Sequence, residues 1–172
     1  NLAKKDLPEV MNFEEVTIPK TLKLKFRQHG NQGINSITFN SKGSHFITTG
    51  SDKIVKHWDG TKTQELNAFS GFTGSVTDAS YDYTEKFLFA GSTDKTAKLW
   101  SLKDSKLLTT FTGHIDYINC VATWNNALKG LTGSSDRTVK EWDFDTKKLI
   151  RNLHTTSSCF SLGVASDDSF AV

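Results

Sequence analysis

The stretch LTGSSDRTVKEWD, at residues 131–143, decides the fold because the chain repeats it. Related stretches read FAGSTDKTAKLWS at 89–101 and ITTGSDKIVKHWD at 47–59, which gives a period of 42 residues. Each copy carries an Asp six residues before a Trp, and the three tryptophans are Trp58, Trp100 and Trp142. Self-similarity at about 40–45 residues is typical of stacked or radial repeat proteins.

Each copy has the pattern of a strand, a tight Gly/Ser/Asp turn and a second strand that ends near the Trp. Another apolar strand is predicted upstream of each copy, at 34–39, 76–81 and 118–123. A fourth is predicted downstream, at 65–69, 107–111 and 149–153. Four short antiparallel strands form one blade of a β-propeller. Apolar residues do not recur with a helical period, so an all-β chain with almost no helix is expected.

The third unit contains two dipeptides, Gly113-His114 near its start and Trp142-Asp143 at the end of its third predicted strand. With the three aligned turns, they make the chain resemble the WD40-repeat β-propeller family over about residues 22–172. The resemblance implies a buried hydrogen-bond chain of His, Ser/Thr, Asp and Trp in each blade. Its members would be His29, Thr48, Asp52 and Trp58 in unit one, Asp94 and Trp100 in unit two, and His114, Thr132, Asp136 and Trp142 in unit three.

Unit two departs from this pattern, because Phe72 and Ala90 stand where the family has His and Thr. Losing both polar members together is physically reasonable. A buried polar group without its partner costs about 1–3 kcal/mol, whereas two apolar replacements can be nearly neutral. We therefore interpret these positions as structural. A catalytic His–Asp pair is the alternative that we disfavour.

The repeat also predicts the division of the chain. A lead-in is expected over 1–20, the outer strand of the closing blade over 21–27, blades over 28–69, 70–111 and 112–153, and the start of a fourth blade over 154–172, where Phe160 aligns with Ile118. Propellers of this type close with 4–8 blades. We therefore expect an incomplete propeller, with a seven-bladed parent. Either more chain or self-association through the unpaired blades would cover the open sheet faces.

Composition excludes several classes of function. With 21 basic and 19 acidic residues, the net charge of +2 predicts no strong attraction to nucleic acid. The absence of a long apolar run and of a signal-peptide pattern predicts no membrane insertion. Cys120 and Cys159 fall on predicted strands and form no disulfide framework, so we expect a cytoplasmic protein with reduced thiols.

No sequence motif for catalysis or metal binding is present. The chain lacks the G-x-S-x-G, H-E-x-x-H, C-x-x-C and phosphate-loop patterns. Its five histidines come from separate strands or loops without the spacing of zinc ligands. We expect no enzyme activity, no cofactor and no metal.

The surface remains as the carrier of function. Lys53, Lys95 and Arg137 each follow a turn Asp, one blade apart, and Asp116 and Tyr117 belong to a loop expected on the same face. Tyr beside charged residues is typical of interaction hot spots. We predict a scaffold for other proteins or peptides, in particular acidic or phosphorylated ones. The alternative is that these are ordinary turn residues of the repeat.

A closer resemblance is to the WD-repeat domains of autophagy-related protein sixteen. It rests on FEEVTIP at 13–19, GSVTD at 74–78 and SSC at 157–159. It implies an adaptor that recruits partners to autophagosome formation. Alternatives are a scaffold of another assembly, such as a ubiquitin-ligase substrate receptor or a signalling complex, or a phosphoinositide-binding propeller. The last is disfavoured because FRQH at 26–29 lacks the second Arg and the Gly of the lipid-binding Phe-Arg-Arg-Gly motif.

Overall fold

A computed structural model describes residues 29–62, 64–165 and 170–171. Three four-stranded antiparallel sheets follow one another along the chain, and a short two-stranded pair follows them. The strands are β1 Ile34–Phe39, β2 His45–Gly50, β3 Val55–Asp59, β4 Gln64–Phe69, β5 Val76–Tyr81, β6 Phe87–Ser92, β7 Ala97–Ser101, β8 Leu107–Phe111, β9 Ile118–Thr123, β10 Lys129–Ser134, β11 Thr138–Asp143, β12 Leu149–His154, β13 Gly163–Val164 and β14 Phe170–Ala171.

The predicted fold class is confirmed: the described residues form an all-β, incomplete β-propeller. The predicted lead-in at 1–20 and closing strand at 21–27 lie outside the described residues. Within the described ranges, no helix has the length and apolarity needed to cross a membrane.

The local pattern of each unit recurs down to its irregularities. In each four-stranded sheet the strands pair in chain order, as the antiparallel hairpins predict. The third strand of each unit shifts its register against the fourth at the residue pair that ends in Trp58, Trp100 or Trp142. Such a β-bulge bends a strand and redirects a side chain. The same bulge therefore sets the position of the Trp in all three units.

The sheets pack face to face through apolar side chains. Ile47 and Phe69 of the first sheet lie in one buried cluster with Trp100 of the second. Phe111 of the second sheet contacts Trp142 of the third in the same way, with ring centroids 5.1 Å apart, against 5.7 Å for Phe69 and Trp100. Full burial of one such side chain contributes about 1.5–3 kcal/mol. The last strands of units one and two thus pack against the Trp of the following unit.

The inner strands are also joined across units by polar side chains. Ser36 Oγ donates to Asp78 Oδ1 at 2.8 Å, and Val121 N donates to Asp78 Oδ2 at 3.0 Å. Asp78 therefore links the innermost strands of all three sheets. Burial raises the pKa of this carboxyl, although the hydrogen bonds from Val121 and Ser36 oppose the shift.

The entry to unit four differs from the prediction by one residue. Asn119 Nδ2 donates to Cys159 O at 2.9 Å, in the way that Thr77 Oγ1 donates to Ile118 O at 2.7 Å one unit earlier. Cys159, and not Phe160, therefore occupies the place equivalent to Ile118, and Phe160 is left 74% exposed. The alignment was wrong because the loop into unit four is one residue shorter. The prediction that Cys159 lies on a strand was also wrong, since it lies in a loop.

One face of the first sheet is open. Ile37 and Phe39 on β1 are 54% and 61% exposed. Their equivalents on β5, Ala79 and Tyr81, are buried against the first sheet. The same apolar positions therefore form an interface where another sheet precedes them, and a surface where none does among the described residues.

Candidate partner-binding surface

The hydrogen-bond chain of unit one begins at His29, which is almost completely buried. Its Nδ1 lies 2.8 Å from Asp52 Oδ1 and its Nε2 lies 2.8 Å from Thr48 Oγ1. Trp58 Nε1 donates to the same hydroxyl at 2.9 Å. The loop after His29 has one residue more than the loop after His114, and the bonding pattern is unchanged by it.

Unit three has the same arrangement. His114 Nδ1 lies 2.7 Å from Asp136 Oδ2, His114 Nε2 lies 2.7 Å from Thr132 Oγ1, and Trp142 Nε1 donates to Thr132 Oγ1 at 2.9 Å. Burial lowers the pKa of His114, in spite of the neighbouring carboxylate. Burial opposes ionisation of Asp136, yet hydrogen bonds from Thr138 and His114 hold its pKa at about 2. This pairs a neutral imidazole with an ionised carboxylate.

Unit two replaces the polar pair by an apolar contact. The ring of Phe72 packs edge-on against Trp100 at a centroid distance of 5.5 Å, and Ala90 is completely buried. Asp94 still accepts hydrogen bonds within its turn, although no His is present. Its Oδ2 accepts the Thr73 backbone N–H at 2.8 Å and its Oδ1 accepts the Thr96 hydroxyl at 2.6 Å. Burial raises the pKa of Asp94, but these hydrogen bonds outweigh it and the net shift is downward.

The three basic residues occupy one backbone position in three copies. Lys53, Lys95 and Arg137 have φ angles of 70°, 72° and 62°, in the left-handed region. In each turn their N–H donates back across the turn, to the carbonyl oxygens of Gly50, Ser92 and Ser134. All three side chains are exposed. Non-Gly residues are uncommon in this conformation. Because all three turns share it, the three basic side chains leave the backbone at equivalent positions.

Hydrogen bonds to backbone carbonyl oxygens join these turns to the loops that enter the inner strands. Ser135 N donates to Tyr117 O at 2.9 Å, and Ser134 Oγ donates to Asp116 O at 3.2 Å. Equivalent bonds run from Ser51 to Gly33 and from Thr93 to Ser75. Tyr117, which is 51% exposed, therefore shares a face with the turn that carries Arg137. We call this surface the Asp-turn face; it comprises the three turns and the three entry loops.

Sequence reasoning missed Ile115 on this face. Its side chain is 79% exposed, while its N–H donates to Asp136 Oδ2 at 3.1 Å. The signal was an apolar residue at a loop position where unit two has Thr73 and unit one has Gly30. Together Ile115 and Tyr117 give the face an apolar portion.

The buried pair of His114 and Asp136 is unsuited to catalysis. The side chains of His114 and Asp136 are 0% and 3% exposed, so a substrate has no access to them. Within the described ranges, no group of three or more His, Cys, Asp or Glu side chains is arranged to hold a metal ion. The role that the structure supports for His114 and Asp136 is to hold the turns of the Asp-turn face in place.

Comparisons with known proteins agree with this architecture. Two solved structures, the structure of U3-55K and the crystal structure of RRP9 WD40 repeats, each match with a TM-score of 0.71 and 20% sequence identity. Each match covers 74% of this chain and 41% of the other, so the chain spans less than half the length of these structures. At this identity the likeness shows the fold.

A comparison with curated proteins finds no match. The family described as WD domain, G-beta repeat, matches residues 20–59, 63–101 and 105–143, which is more than half of the chain. Members of this family are generally non-catalytic scaffolds, and their propellers generally bind other proteins. The chain therefore belongs to the WD40 repeat family.

Proposed function

We propose that the Asp-turn face binds an acidic or phosphorylated segment of a partner protein, so that the chain acts as an interaction scaffold. The observation that carries the proposal is the repetition of an exposed base at one backbone position, in Lys53, Lys95 and Arg137. A segment that runs across the three turns meets a cation in each unit. Such complementary charges orient a ligand and select against basic segments.

The turn carboxylates do not cancel this complementarity at contact distance. The side chains of Asp52 and Asp136 are 17% and 3% exposed, and both accept hydrogen bonds from protein donors. An arriving ligand therefore meets the cations first. At longer range the carboxylates weaken the positive electrostatic field of the face. We therefore expect the cations to strengthen binding through direct contacts more than through a faster association rate. One exposed ion pair contributes about 0.2–1 kcal/mol.

An apolar anchor lies beside the cations. Tyr117 and Ile115 project from one entry loop next to the turn of Arg137. Buried aromatic side chains supply much of the affinity at interfaces, while rim charges contribute less. The best ligand would therefore place an apolar side chain on this loop and acidic or phosphorylated residues over the turns.

The test uses immobilised peptides in matched unmodified, acidic and phosphorylated forms. The variant carries Lys53→Glu, Lys95→Glu and Arg137→Glu, and we expect it to lose selective binding of the acidic and phosphorylated forms. The control carries Lys42→Glu, Lys103→Glu and Lys147→Glu, which are exposed lysines in turns at the opposite ends of the strands. It makes the same change in net charge and should bind as the parent chain does. Equal binding by both triple variants would refute the proposal.

Tyr117→Ala separates the two parts of the surface. Loss of the ring should accelerate dissociation of a bound peptide, with little effect on the association rate or on its salt dependence, because the cations are unchanged. Surface plasmon resonance at two salt concentrations measures both rates. An unchanged dissociation rate would exclude Tyr117 as the anchor.

We also infer, from the resemblance of 13–19, 74–78 and 157–159, that the partners include proteins of autophagosome formation. From the two cysteines that form no disulfide framework, we infer that the protein acts in the cytoplasm. The competing assignments are a substrate receptor of a ubiquitin ligase and a scaffold of a signalling complex. Co-precipitation from fed and starved cells, probed for the autophagy conjugation machinery and for ubiquitin-ligase subunits, distinguishes them. Recovery of ligase subunits without the conjugation machinery would overturn the autophagy assignment.

A further inference from the structure

A cavity of about 170 Å³ lies at the ends of the inner strands that point away from the Asp-turn face. Its walls come from three successive units, through the ends of β1, β5 and β9 and the residues that follow them. Four aromatic residues and two acidic residues line it: Phe39, Tyr81, Tyr83, Trp124, Asp82 and Glu85. One water occupies about 30 Å³ of the liquid, so the space suits a small organic group.

Hydrogen bonds between units hold the walls in place. Thr38 Oγ1 donates to Ala79 O at 2.9 Å, and Thr123 Oγ1 donates to Tyr81 O at 2.6 Å. These bonds cross from β1 to β5 and from β9 to β5, next to the aromatic residues. The cavity is therefore largely formed before any ligand arrives, which lowers the entropy cost of binding.

Two of these aromatic residues are accessible. Tyr83 is 49% exposed and Trp124 is half-buried, whereas Tyr81 is buried and the exposed side chain of Phe39 lies on the open face of the first sheet. Trp124 already receives a cation, because Lys129 Nζ lies 5.9 Å from the centroid of its ring. Aromatic faces attract cations through their quadrupole, and several rings around one site are the known recognition element for quaternary ammonium groups.

The carboxylate of Asp82 supplies negative charge but no spare acceptor. It is buried and accepts four hydrogen bonds, which come from the backbone N–H groups of Thr84, Lys86 and Phe87 and from the Thr84 hydroxyl. A carboxylate has about four lone-pair sites, so the Asp82 carboxylate is saturated.

The carboxylate of Glu85 is also engaged by hydrogen-bond donors. It accepts hydrogen bonds from the Ser41 backbone N–H at 2.9 Å, from the Ser41 hydroxyl and from Asn40 Nδ2 at 3.1 Å. The hydrogen bond from Ser41, followed by that from Asn40, lowers the pKa of Glu85, so this group is ionised at neutral pH. The two carboxylates thus supply fixed negative charge but have little capacity to accept new hydrogen bonds.

We propose that this cavity, the aromatic pocket, binds a quaternary ammonium group. A primary ammonium or a guanidinium would lose water from its N–H donors and find both carboxylates already engaged by other donors, which is costly. A quaternary ammonium has no N–H donors, and it gains from the aromatic faces and from the two carboxylates. A trimethylated lysine side chain and a free choline-type cation present the same chemistry. The proposal is independent of ligand binding to the Asp-turn face.

Two lysines near the pocket oppose a bound cation. Lys42 lies close enough to Glu85 to influence its charge, and Lys129 stands over Trp124 while also lying 3.6 Å from Glu141 Oε1. The ammonium group of Lys129 therefore competes with a bound cation for the ring of Trp124. Removing its charge should strengthen binding of an external cation.

The experiment titrates the full chain with choline, with tetramethylammonium and with 3,3-dimethylbutan-1-ol, the uncharged isostere of choline. Binding is followed by NMR shifts of the chain. We expect both cations to bind and the alcohol to bind at least tenfold more weakly. Tyr83→Ala should weaken choline binding by roughly three- to thirtyfold, as loss of a cation–π contact predicts. Lys129→Met should strengthen it about threefold.

The controls separate a site from a folding defect. Tyr83→Phe keeps the ring and should bind choline as the parent does, whereas Tyr117→Ala removes an exposed ring from the other face and should also leave binding unchanged. Equal binding of choline and its isostere, or unchanged binding by Tyr83→Ala, would overturn the proposal. Peptides that carry trimethyl-lysine or unmodified lysine identify the source. Preference for the trimethylated peptide over free choline indicates a protein partner, and the reverse indicates a metabolite.

Discussion

Replacing His114 by Phe and Thr132 by Ala gives unit three the pair that unit two has in Phe72 and Ala90. We expect the double replacement to cost less stability than the sum of the two single ones. The structure provides the reason. Asp94 in unit two is held by Thr73 and Thr96 without a His. In unit three, Ile115 N–H and the Thr138 hydroxyl already donate to Asp136 and would remain.

The magnitude follows from the polar groups that each variant leaves without a partner. Thr132→Ala removes the hydroxyl from Trp142 Nε1 and from His114 Nε2, two buried groups that cost about 1–3 kcal/mol each. His114→Phe removes one contact of Thr132 and one of Asp136, at about 1–3 kcal/mol in total because both keep other partners. In the double variant, Trp142 Nε1 is the one group of this set that has lost its partner. A coupling of about 1–3 kcal/mol is therefore expected.

Urea unfolding followed by tryptophan fluorescence gives the unfolding free energies of the parent, the two single variants and the double variant. The matched control combines His114→Phe with Thr48→Ala, the equivalent hydroxyl of unit one, which does not contact His114. That pair should add within about 0.3–0.5 kcal/mol. Additive effects of His114→Phe and Thr132→Ala would refute the argument that the polar pair was lost as a unit.

Three further predictions concern stability. Phe72→Ala should cost about 3–5 kcal/mol, because the ring is buried against Trp100; a loss below about 1 kcal/mol in urea unfolding would contradict this. Ala90→Thr should not stabilise unit two, because its hydroxyl would be buried beside an apolar ring, and a raised melting temperature would show the opposite. The pKa of His114 is lowered from 6.5 and that of Asp136 from 3.8 to about 2, so the unfolded chain binds more protons in both ranges. The unfolding free energy should therefore decrease as pH falls below about 6.5, and again between about pH 4 and 2. His114→Phe should make the first decrease smaller without abolishing it, because burial also lowers the pKa of His57.

The sequence by itself determined the architecture. The 42-residue period, the alternation within each strand and the Trp near the end of each third strand can be recognised from short stretches of sequence, and each unit carries a complete copy of them. Local features of this kind predict strands and turns, because side-chain alternation and turn chemistry act over a few residues. The placement of most strands followed directly.

The tertiary structure decided how the exceptions are resolved. The sequence showed that unit two lacks its His and Thr, but not that the backbone of Thr73 would satisfy Asp94. Likewise, the repeat aligned Phe160 with Ile118, whereas contacts with Asn119 show that the equivalent residue is Cys159. In both cases the deciding hydrogen bond joins residues that are far apart in the chain, 21 residues for Thr73 and Asp94 and 40 for Asn119 and Cys159, which is beyond the range of local patterns.

The aromatic pocket could not be predicted for the same reason. Phe39, Tyr83 and Trp124 come from three units and stand at no common repeat position. No unit contains a motif for the site, since its residues come from the ends of inner strands in three units and from the loops that follow them. The residues of the aromatic pocket come together only when one sheet packs on the next. That packing is set by contacts between residues far apart in the chain. Local periodicity determined the blades, and the contacts between blades determined the surfaces on which function depends.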